Sequence, residues 1–153
     1  MRVALGADHG GYALKEELKA YLQNQGMTIL DQGTDSAASV DYPQFGFQVG
    51  SLIRQGDADF GIVICGTGLG VSMAANKVPG VRAAVCADPY MARLAREHND
   101  ANVLALGGRV LGADLAREIV DVFLRTPFSG ATRHQQRIGQ MAAYENGISG
   151  KES

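Results

Sequence analysis

Short apolar runs alternate with amphipathic segments along this chain of 153 residues, and that alternation limits its possible folds more than any other feature. Runs without polar interruption, such as residues 60–65, are typical of strands buried on both faces of a parallel sheet. The segments between them place apolar residues at helical spacing, as Leu14, Leu18 and Leu22 do. Repeated strand–helix units predict an α/β fold, with helices covering both faces of a five-stranded parallel sheet.

The same patterns place the individual elements along the chain. Five strands are predicted, at residues 2–7, 27–31, 60–65, 81–87 and 103–106. Six helices are predicted, at residues 11–25, 43–55, 69–77, 89–98, 113–124 and 132–146. We expect one domain over residues 1–149, a length that suits a single core, and a flexible C-terminal tail over residues 150–153.

Composition excludes several classes of function. The formal net charge is −2, so no basic field is available to attract nucleic acid or a membrane surface. No apolar run is long enough to span a bilayer, and the N-terminus leads directly into a predicted strand rather than a signal peptide. The two cysteines, Cys65 and Cys86, do not suggest a disulfide framework, so we expect a cytoplasmic protein.

A glycine-rich motif follows the third predicted strand and opens the next helix: Cys65-Gly66-Thr67-Gly68-Leu69-Gly70. Where a strand, a glycine turn and a helix start follow one another, backbone N–H groups point at a common anion. The positive end of the helix dipole also stabilises negative charge on a thiol placed there. The motif therefore offers a base or nucleophile beside an anion hole, although the glycines could instead serve only a tight turn.

The same motif nearly matches a dinucleotide-binding fingerprint, with Asp88 as the acidic residue that would bind a ribose. However, the third glycine, Gly70, comes one residue early, and the motif follows the third strand instead of the first. Asp88 is also followed by Pro89, a pair typical of a helix N-cap and the first helical residue. Nucleotide binding is therefore the weaker of the two interpretations.

Ligands bind outside the carboxyl ends of the strands in parallel α/β sheets. Several polar segments are expected to meet there, because each follows a predicted strand or the helix after it: residues 8–11, 65–70, 97–100 and 107–109. The sequence thus predicts that an acid, a thiol, an imidazole and a guanidinium line one cleft: Asp8, Cys65, His98 and Arg109.

Taken together, these motifs resemble the ribose-5-phosphate isomerase B family, whose wider membership includes galactose-6-phosphate isomerase subunits. The resemblance runs in order from about Arg2 to Met141. It rests on Asp8-His9-Gly10-Gly11, Asp41-Tyr42-Pro43, the run from Cys65 to Ser72, Ala74-Ala75-Asn76-Lys77, the run from Arg96 to Asn102, and Arg133-His134-Gln135-Gln136-Arg137. It implies a Rossmann-like three-layer α/β/α sandwich, a homodimer or a tetramer with active sites at the subunit interface, and neither a metal nor a nucleotide cofactor.

The resemblance also implies an activity, the interconversion of ribose 5-phosphate and ribulose 5-phosphate in the pentose phosphate pathway. Such an aldose–ketose isomerase opens the sugar ring, moves a proton between C1 and C2, and stabilises an enediolate. By resemblance, Cys65 is the base that moves the carbon-bound proton, and His98 opens the furanose ring. The enediolate oxygens would be stabilised by the Thr67 hydroxyl and by the backbone N–H groups of the loop, formed by Gly66, Gly68 and Gly70.

Contacts to the sugar are also implied by the resemblance, each beside a simpler alternative. Asp8 and Asn99 resemble residues that bind sugar hydroxyls, although Asp8 could also cap the first helix. Tyr42 could line the pocket or merely precede Pro43 in an extended turn. The role of His134 stays open between a phosphate contact and packing at the subunit interface.

Phosphate recognition is assigned by the same resemblance to Arg133, Arg137 and His9, with Arg109 as a further candidate. Arginine suits this role because its planar fork of donors matches phosphate oxygens. Arg133 and Arg137 lie four residues apart, so a helix presents them on one face. Without the resemblance, such a pair would more often form a solvated helix face, and His98 could be only a cation at a helix C-terminus.

Two other functions remain open at this stage. The same machinery would serve a six-carbon substrate such as allose 6-phosphate or galactose 6-phosphate. A non-catalytic module that binds a phosphosugar or a nucleotide is the alternative outside enzymes. The chain carries Cys65, His98 and the arginine pair together, which favours a self-sufficient enzyme, whereas Cys86 lacks such a context and is expected in the core.

Overall fold

The computed structural model describes residues 1–149, and there the alternation of strands and helices is confirmed. The strands are β1 (Arg2–Ala7), β2 (Thr28–Asp31), β3 (Phe60–Cys65), β4 (Ala83–Val85) and β5 (Val103–Gly107). The helices are α1 (Tyr12–Asn24), α2 (Pro43–Gln55), α3 (Leu69–Ala75), α4 (Pro89–Glu97), α5 (Ala113–Arg125) and α6 (Thr132–Ser149). The predicted tail at residues 150–153 lies outside the described residues.

The five strands form one parallel sheet in the order β2-β1-β3-β5-β4. Side chains alternate between its two faces along each strand, so Ile62 and Val63 of β3 point into separate cores. Ile62 packs in the core that α1, α4 and α5 cover, and Val63 packs in the core that α2 and α3 cover. The predicted α/β sandwich with a five-stranded parallel sheet is therefore confirmed.

The fourth strand is shorter than the sequence predicts, at Ala83–Val85 instead of residues 81–87. It lies at the edge of the sheet and pairs only with β5, from Ala83 opposite Val103 to Val85 opposite Ala105. The Asn76 side chain bonds the backbone of Ala83, donating to its carbonyl at 3.0 Å and accepting from its N–H at 2.8 Å. An apolar run in the sequence does not show how many of its residues will pair with a neighbouring strand, and here only three residues of β4 pair with β5.

Helix α6 is mostly exposed, although it extends past its predicted end at residue 146 to Ser149. Its apolar residues Met141, Tyr144 and Ile148 are 51%, 75% and 47% exposed. A cavity of about 460 Å³ separates this helix from the edge formed by β4. Among residues 1–149, no helix combines the length and apolar character needed to cross a membrane.

A buried ion pair fixes the carboxyl end of β2. Lys15 of α1 is 1% exposed, and its Nζ donates to both carboxylate oxygens of Asp31 at 2.8 Å. Lys19 also donates to Asp31, at 2.9 Å. Asp31 in turn accepts a hydrogen bond from the N–H of Gly33 at 2.9 Å, at the start of the loop that leads to α2. The pair therefore anchors the loop between β2 and α2.

Candidate active site

The turn between β3 and α3 depends on Gly68, which precedes the first helical residue, Leu69. Gly68 has φ of 82°, in the left-handed region that favours glycine. A Cβ at this position would also lie 2.9 Å from the carbonyl carbon of Leu106 on β5. Conformation and close packing thus both call for glycine here, which explains one member of the glycine-rich motif.

Cys65 ends β3 and lies beneath this turn, with only 5% of its surface exposed. The backbone N–H of Gly68 donates to its Sγ at 3.2 Å. Thr67 is exposed, and its Oγ1 accepts the N–H of Leu69 at 3.2 Å, which leaves the hydroxyl hydrogen to donate elsewhere. The turn therefore gathers a thiol, a hydroxyl and backbone donors.

Loops from the neighbouring strands pack directly on this turn. The N–H of Gly108 donates to the carbonyl of Cys65 at 2.8 Å, and the N–H of Arg109 donates to the carbonyl of Gly66 at 3.0 Å. Gly108 also lies against the carbonyl oxygen of Gly10, leaving no room for a Cβ. Backbone contacts therefore hold the carboxyl ends of β1, β3 and β5 together.

These loops bring three of the predicted polar side chains to the turn. Asp8 is 7% exposed, and its Oδ1 accepts a backbone N–H two residues later at 2.8 Å. The Nδ1 of His9 accepts the N–H of Val40 at 3.2 Å, so the neutral ring carries its proton on Nε2. The Arg109 guanidinium covers Gly66, since a Cβ there would lie 3.1 Å from its Nη1.

Tyr42 completes this group from the other side. It directly precedes α2, and a Cβ on Gly70 would lie 2.6 Å from the ring of Tyr42. The ring therefore borders the glycine loop, and it remains 42% exposed. We call the group at the carboxyl edge of the sheet the thiol cluster; its members are Asp8, His9, Tyr42, the segment from Cys65 to Gly70, and Arg109.

The expectation that His98 lines the same cleft is wrong for a single chain. Helix α4 returns the chain to the start of the next parallel strand, so it ends at the amino edge of the sheet. Arg82, directly before β4, accordingly donates to the carbonyls of Asn99 at 3.0 Å and Asp100 at 2.8 Å. The five residues of β5 place roughly 16 Å between the two edges of the sheet. His98 and Cys65 of one chain thus belong to different surfaces.

His98 instead stacks on His134, with ring centroids 4.2 Å apart and an interplanar angle of 19°. His134 lies in the first turn of α6 and is 5% exposed. Burial lowers its pKa, and positive charge on His98, Arg133 and Arg137 lowers the pKa further. Both arginines are exposed. We call this group the histidine cluster; its members are His98, Asn99, Arg133, His134 and Arg137.

No hydrogen bond, ion pair or ring contact joins the thiol cluster to the histidine cluster within residues 1–149. Sequence patterns leave the role of His134 open and do not predict a contact with His98. His98 follows the end of α4, and His134 lies at the start of α6. Helical spacing describes only the faces of a single helix, so it cannot predict a contact between two helices. The feature of the sequence that pointed to a functional role for His134 was its position between Arg133 and Arg137.

Two residues that could have supported other functions have structural roles. Asp88 caps α4, because its Oδ1 accepts the N–H of Met91 at 2.8 Å. This confirms the N-cap prediction and leaves the nucleotide-binding interpretation without its acidic residue.

Cys86 is 2% exposed, and burial, with the nearby charge of Asp88, raises its pKa to about 12. The prediction that Cys86 belongs to the core is confirmed.

The fold and the thiol cluster define an α/β protein in which a thiol lies beneath a glycine turn at the carboxyl edge of a parallel sheet. The model of the ribose/galactose isomerase family matches residues 3–141. The chain therefore belongs to the ribose/galactose isomerase family.

Individual relatives agree with this membership. Ribose-5-phosphate isomerase B of Escherichia coli K12 is 49% identical over 144 residues, which cover 94% of this chain and 96% of that protein. The structure of Clostridium thermocellum ribose-5-phosphate isomerase B matches with a TM-score of 0.95 at 54% identity, covering 97% of this chain and 99% of that one. A galactose-6-phosphate isomerase subunit, LacB, of Clostridium acetobutylicum is 40% identical over 138 residues, covering 90% and 80% of the two chains.

Proposed function

We propose that this chain is an aldose–ketose isomerase that interconverts D-ribose 5-phosphate and D-ribulose 5-phosphate. The observation that carries the proposal is the Cys65 thiol, which accepts the Gly68 N–H at 3.2 Å within the glycine loop. That arrangement suits removal of a proton from carbon, because the charge that develops on oxygen needs donors close to the base. Similarity to ribose-5-phosphate isomerases over nearly the whole chain supports the choice of substrate.

Proton transfer is assigned to Cys65. As a thiolate, it takes the proton from C2 of the open aldose. The electron pair of that C–H bond forms the C1–C2 double bond, and the C1–O1 π pair moves onto O1, which becomes the negative oxygen of the enediolate. The resulting thiol returns the proton to C1, while the O2 proton passes to O1. Backbone N–H groups of Gly66, Gly68 and Gly70, together with the Thr67 hydroxyl, stabilise the negative oxygen between the two steps.

Ring opening is assigned to His98, because ribose 5-phosphate is mainly a furanose. In this step the C1–O4 bond breaks, the C1 hydroxyl loses its proton to one acceptor, and O4 gains a proton. An imidazole can accept the first proton and supply the second near neutral pH. The ketose product cannot form a furanose through its phosphate-bearing C5 oxygen, so the reverse reaction starts from an open chain.

Binding groups come from both clusters. Asp8, whose Oδ2 takes no hydrogen bond from residues 1–149, would accept a sugar hydroxyl, and Asn99 would contact another. The Nε2–H of His9, with the guanidinium groups of Arg109, Arg133 and Arg137, would hold the phosphate through charge-assisted hydrogen bonds. The Tyr42 ring would form one wall of the pocket. No metal or other cofactor takes part in this scheme.

We further propose that each active site combines the thiol cluster of one protomer with the histidine cluster of another. In the open substrate, C1 lies about 8 Å from phosphorus at standard bond lengths, so one molecule cannot reach both edges of a sheet roughly 16 Å wide. A homodimer in which two copies exchange these clusters would complete two equivalent sites, as symmetric association requires. A tetramer would pair two such dimers.

Exposed apolar residues support association between copies. Phe47 on α2 and Leu69 and Met73 on α3 are 44%, 53% and 63% exposed, next to the thiol cluster. On α6, beside the histidine cluster, Met141 and Tyr144 are also exposed. Apolar surface at both clusters is what a shared interface would cover. We also propose a cytoplasmic location, which suits a chain whose two cysteines form no disulfide framework.

The substrate assignment is tested by measuring kcat/KM of the purified chain on three sugar phosphates under the same conditions. Ribose 5-phosphate should exceed allose 6-phosphate and galactose 6-phosphate, because an added carbon displaces the reacting end, and a misplacement of about 1 Å can cost about 100-fold in rate. A higher value on either six-carbon compound would overturn the substrate while keeping the isomerase mechanism. Activity on none of them, with a melting temperature raised by NAD or ATP, would favour a nucleotide-binding module.

A further inference from the structure

The buried imidazole of His134 has no role in the reaction as described so far. Its Nε2 is the one buried side-chain nitrogen or oxygen that lacks a hydrogen-bond partner within residues 1–149. A buried polar atom without a partner destabilises a fold, so an aliphatic side chain would suit this position better if only packing mattered. The ring is nevertheless stacked on His98, the group assigned to ring opening, at a centroid distance of 4.2 Å.

His98 has few other restraints. It is half-buried directly after the last residue of α4, and its side chain makes no hydrogen bond with the described residues. An imidazole in that position can rotate among several staggered conformations. The His134 ring lies against one face of the His98 ring and limits that rotation.

The backbone fixes the distance between the two rings. The loop from α5 to α6 is fastened to the end of α4, because the N–H of Ser129 donates to the carbonyl of Glu97 at 3.1 Å. A second bond joins the same two regions, from Nε of Arg96 to the carbonyl of Thr126 at 3.2 Å. These bonds place the start of α6, and therefore His134, over the residue that follows Glu97.

Contact through the ring face has a chemical advantage. Stacking occupies neither nitrogen of His98, so both can exchange protons with a sugar, whereas a hydrogen bond from His134 would block one of them. The charged and titratable groups that act on His134 are His98 at the end of α4 and Arg133 and Arg137 on α6, and burial and these charges lower its pKa. A neutral ring beside His98 can stabilise the imidazolium that forms during ring opening, whereas two charged rings would repel each other.

We propose that His134 is a positioning residue, whose ring holds the His98 imidazole in the plane from which it exchanges protons with the furanose. This inference rests on the proposed function for its kinetic consequences, and on the stacked geometry alone for its structural ones. Because a misplacement of about 1 Å can cost about 100-fold in rate, loss of the stack should reduce ring opening strongly.

Two substitutions separate positioning from other roles. His134→Leu keeps a similar volume without a ring face, and His134→Phe keeps the ring without its nitrogens. We expect His134→Leu to lower kcat on ribose 5-phosphate by about 10- to 100-fold, with little change in KM and a smaller loss on ribulose 5-phosphate. His134→Phe should restore kcat to within about threefold of wild type. Equal losses in both variants, or no loss in either, would overturn the proposal.

Histidine NMR supplies a test that does not depend on activity. The chain has three histidines, so ring signals can be assigned by substitution. Stacking should shift the His98 ring protons upfield in wild type and in His134→Phe but not in His134→Leu, while His9 stays unchanged in all three. A His98 signal that is the same in wild type and His134→Leu would overturn the proposal.

The two proposals fail in different ways. If wild type converts none of the sugar phosphates, the proposed function fails, and the NMR comparison still decides whether His134 positions His98. If His134→Leu does not fold, as judged by circular dichroism, the wild-type spectrum decides alone. An unshifted His98 signal there would contradict the stack.

Discussion

The thiol cluster and the histidine cluster are built in opposite ways. The thiol cluster forms from three strand ends whose backbones bond and pack on one another, and Cys65 at its centre is 5% exposed. The histidine cluster forms at the ends of two helices, and its arginines project from α6, where Tyr144 is 75% exposed. The first is held by the register of the sheet, and the second by a ring stack and two loop contacts.

The two clusters are therefore positioned with different precision. Sheet register fixes Cys65 and the backbone donors of the glycine loop within one chain, which suits the proton transfer proposed for them, since that step demands the closest geometry. In the proposed shared site, the histidine cluster reaches a substrate where α4 and α6 meet another copy of the chain. Substitutions in the thiol cluster should therefore act directly on chemistry, and those in the histidine cluster on ring opening and phosphate binding.

The largest expected effect comes from Cys65→Ala. Loss of the base should lower kcat by about 10²- to 10⁴-fold, with KM changed far less, because proton transfer is lost and binding is not. Steady-state kinetics in both directions measure this. Cys86→Ala is the matched control, because the Cys86 thiol is buried and its pKa is raised to about 12. This variant should lower the melting temperature and retain kcat. Comparable losses of kcat in the two variants would show that the wrong thiol is assigned.

Mixing two inactive variants tests whether the clusters combine across protomers. With ribose 5-phosphate as the substrate, random pairing of Cys65→Ala with His98→Asn chains should restore about a quarter of wild-type activity, because half of the dimers are mixed and each of these has one intact site. Co-expression with two different tags allows the mixed dimer to be purified and assayed. Cys65→Ala paired with Asp8→Asn, both from the thiol cluster, should restore nothing. An inactive first mixture would contradict the shared site.

A smaller effect is expected from Arg137→Ala, which tests the outer part of the histidine cluster. Loss of one charge-assisted partner should cost about 1.5–3 kcal/mol of binding, or a rise of about 10- to 100-fold in KM for ribose 5-phosphate. Inorganic phosphate should inhibit wild type competitively and this variant only weakly. The control is Arg54→Ala, because Arg54 is also an exposed arginine but lies on α2. This variant should leave KM and the inhibition by phosphate unchanged. If phosphate inhibits Arg137→Ala as strongly as wild type, Arg133 and Arg137 do not bind phosphate and only form a solvated helix face.

The smallest effect on catalysis, with a clear effect on stability, is expected from Asp31→Asn beside the thiol cluster. Removing the carboxylate charge beside the buried Lys15 should destabilise the fold by about 3 kcal/mol, because the ammonium group keeps only the exposed Glu16 carboxylate and the face of the Tyr12 ring. Activity of the folded enzyme should change by less than about threefold, because Asp31 anchors a loop and is not among the residues proposed to bind the sugar. Asp59→Asn is the control, since its ion pair with Arg2 is nearly half exposed and should contribute less than about 1 kcal/mol.

The pH dependence of that stability has a definite sign. Burial raises the pKa of Asp31, but hydrogen bonds from Lys15, Gly33 and Lys19 outweigh it, so the folded pKa lies below the ordinary value of 3.8. The contribution of Asp31 is therefore fully present above pH 3.8 and is lost as the pH falls through the lower folded value. Urea unfolding between neutral and acidic pH should show a steeper acid loss in wild type than in Asp31→Asn. Parallel pH profiles would contradict the role of this pair.

Much of the fold and the thiol cluster could be predicted from local patterns. Helical spacing located α1 through Leu14, Leu18 and Leu22, and all three are buried against the sheet. The cap at Asp88 and the turn at Gly68 are also local, because each depends on residues a few positions away. The edge position of β4 is not local, and the prediction of a strand at residues 81–87 was too long for that reason.

The sequence by itself determined the strand–helix alternation, the glycine turn that places donors at Cys65, and membership of the chain in an isomerase family. Those features follow from hydrophobic period, backbone sterics and residue chemistry, which act over short distances along the chain. Only the tertiary structure decided that His98 lies at the opposite edge of the sheet from Cys65 and stacks on His134. The physical reason is that a helix between parallel strands must return the chain to its starting edge, so residues at its end are carried away from the strand that precedes it.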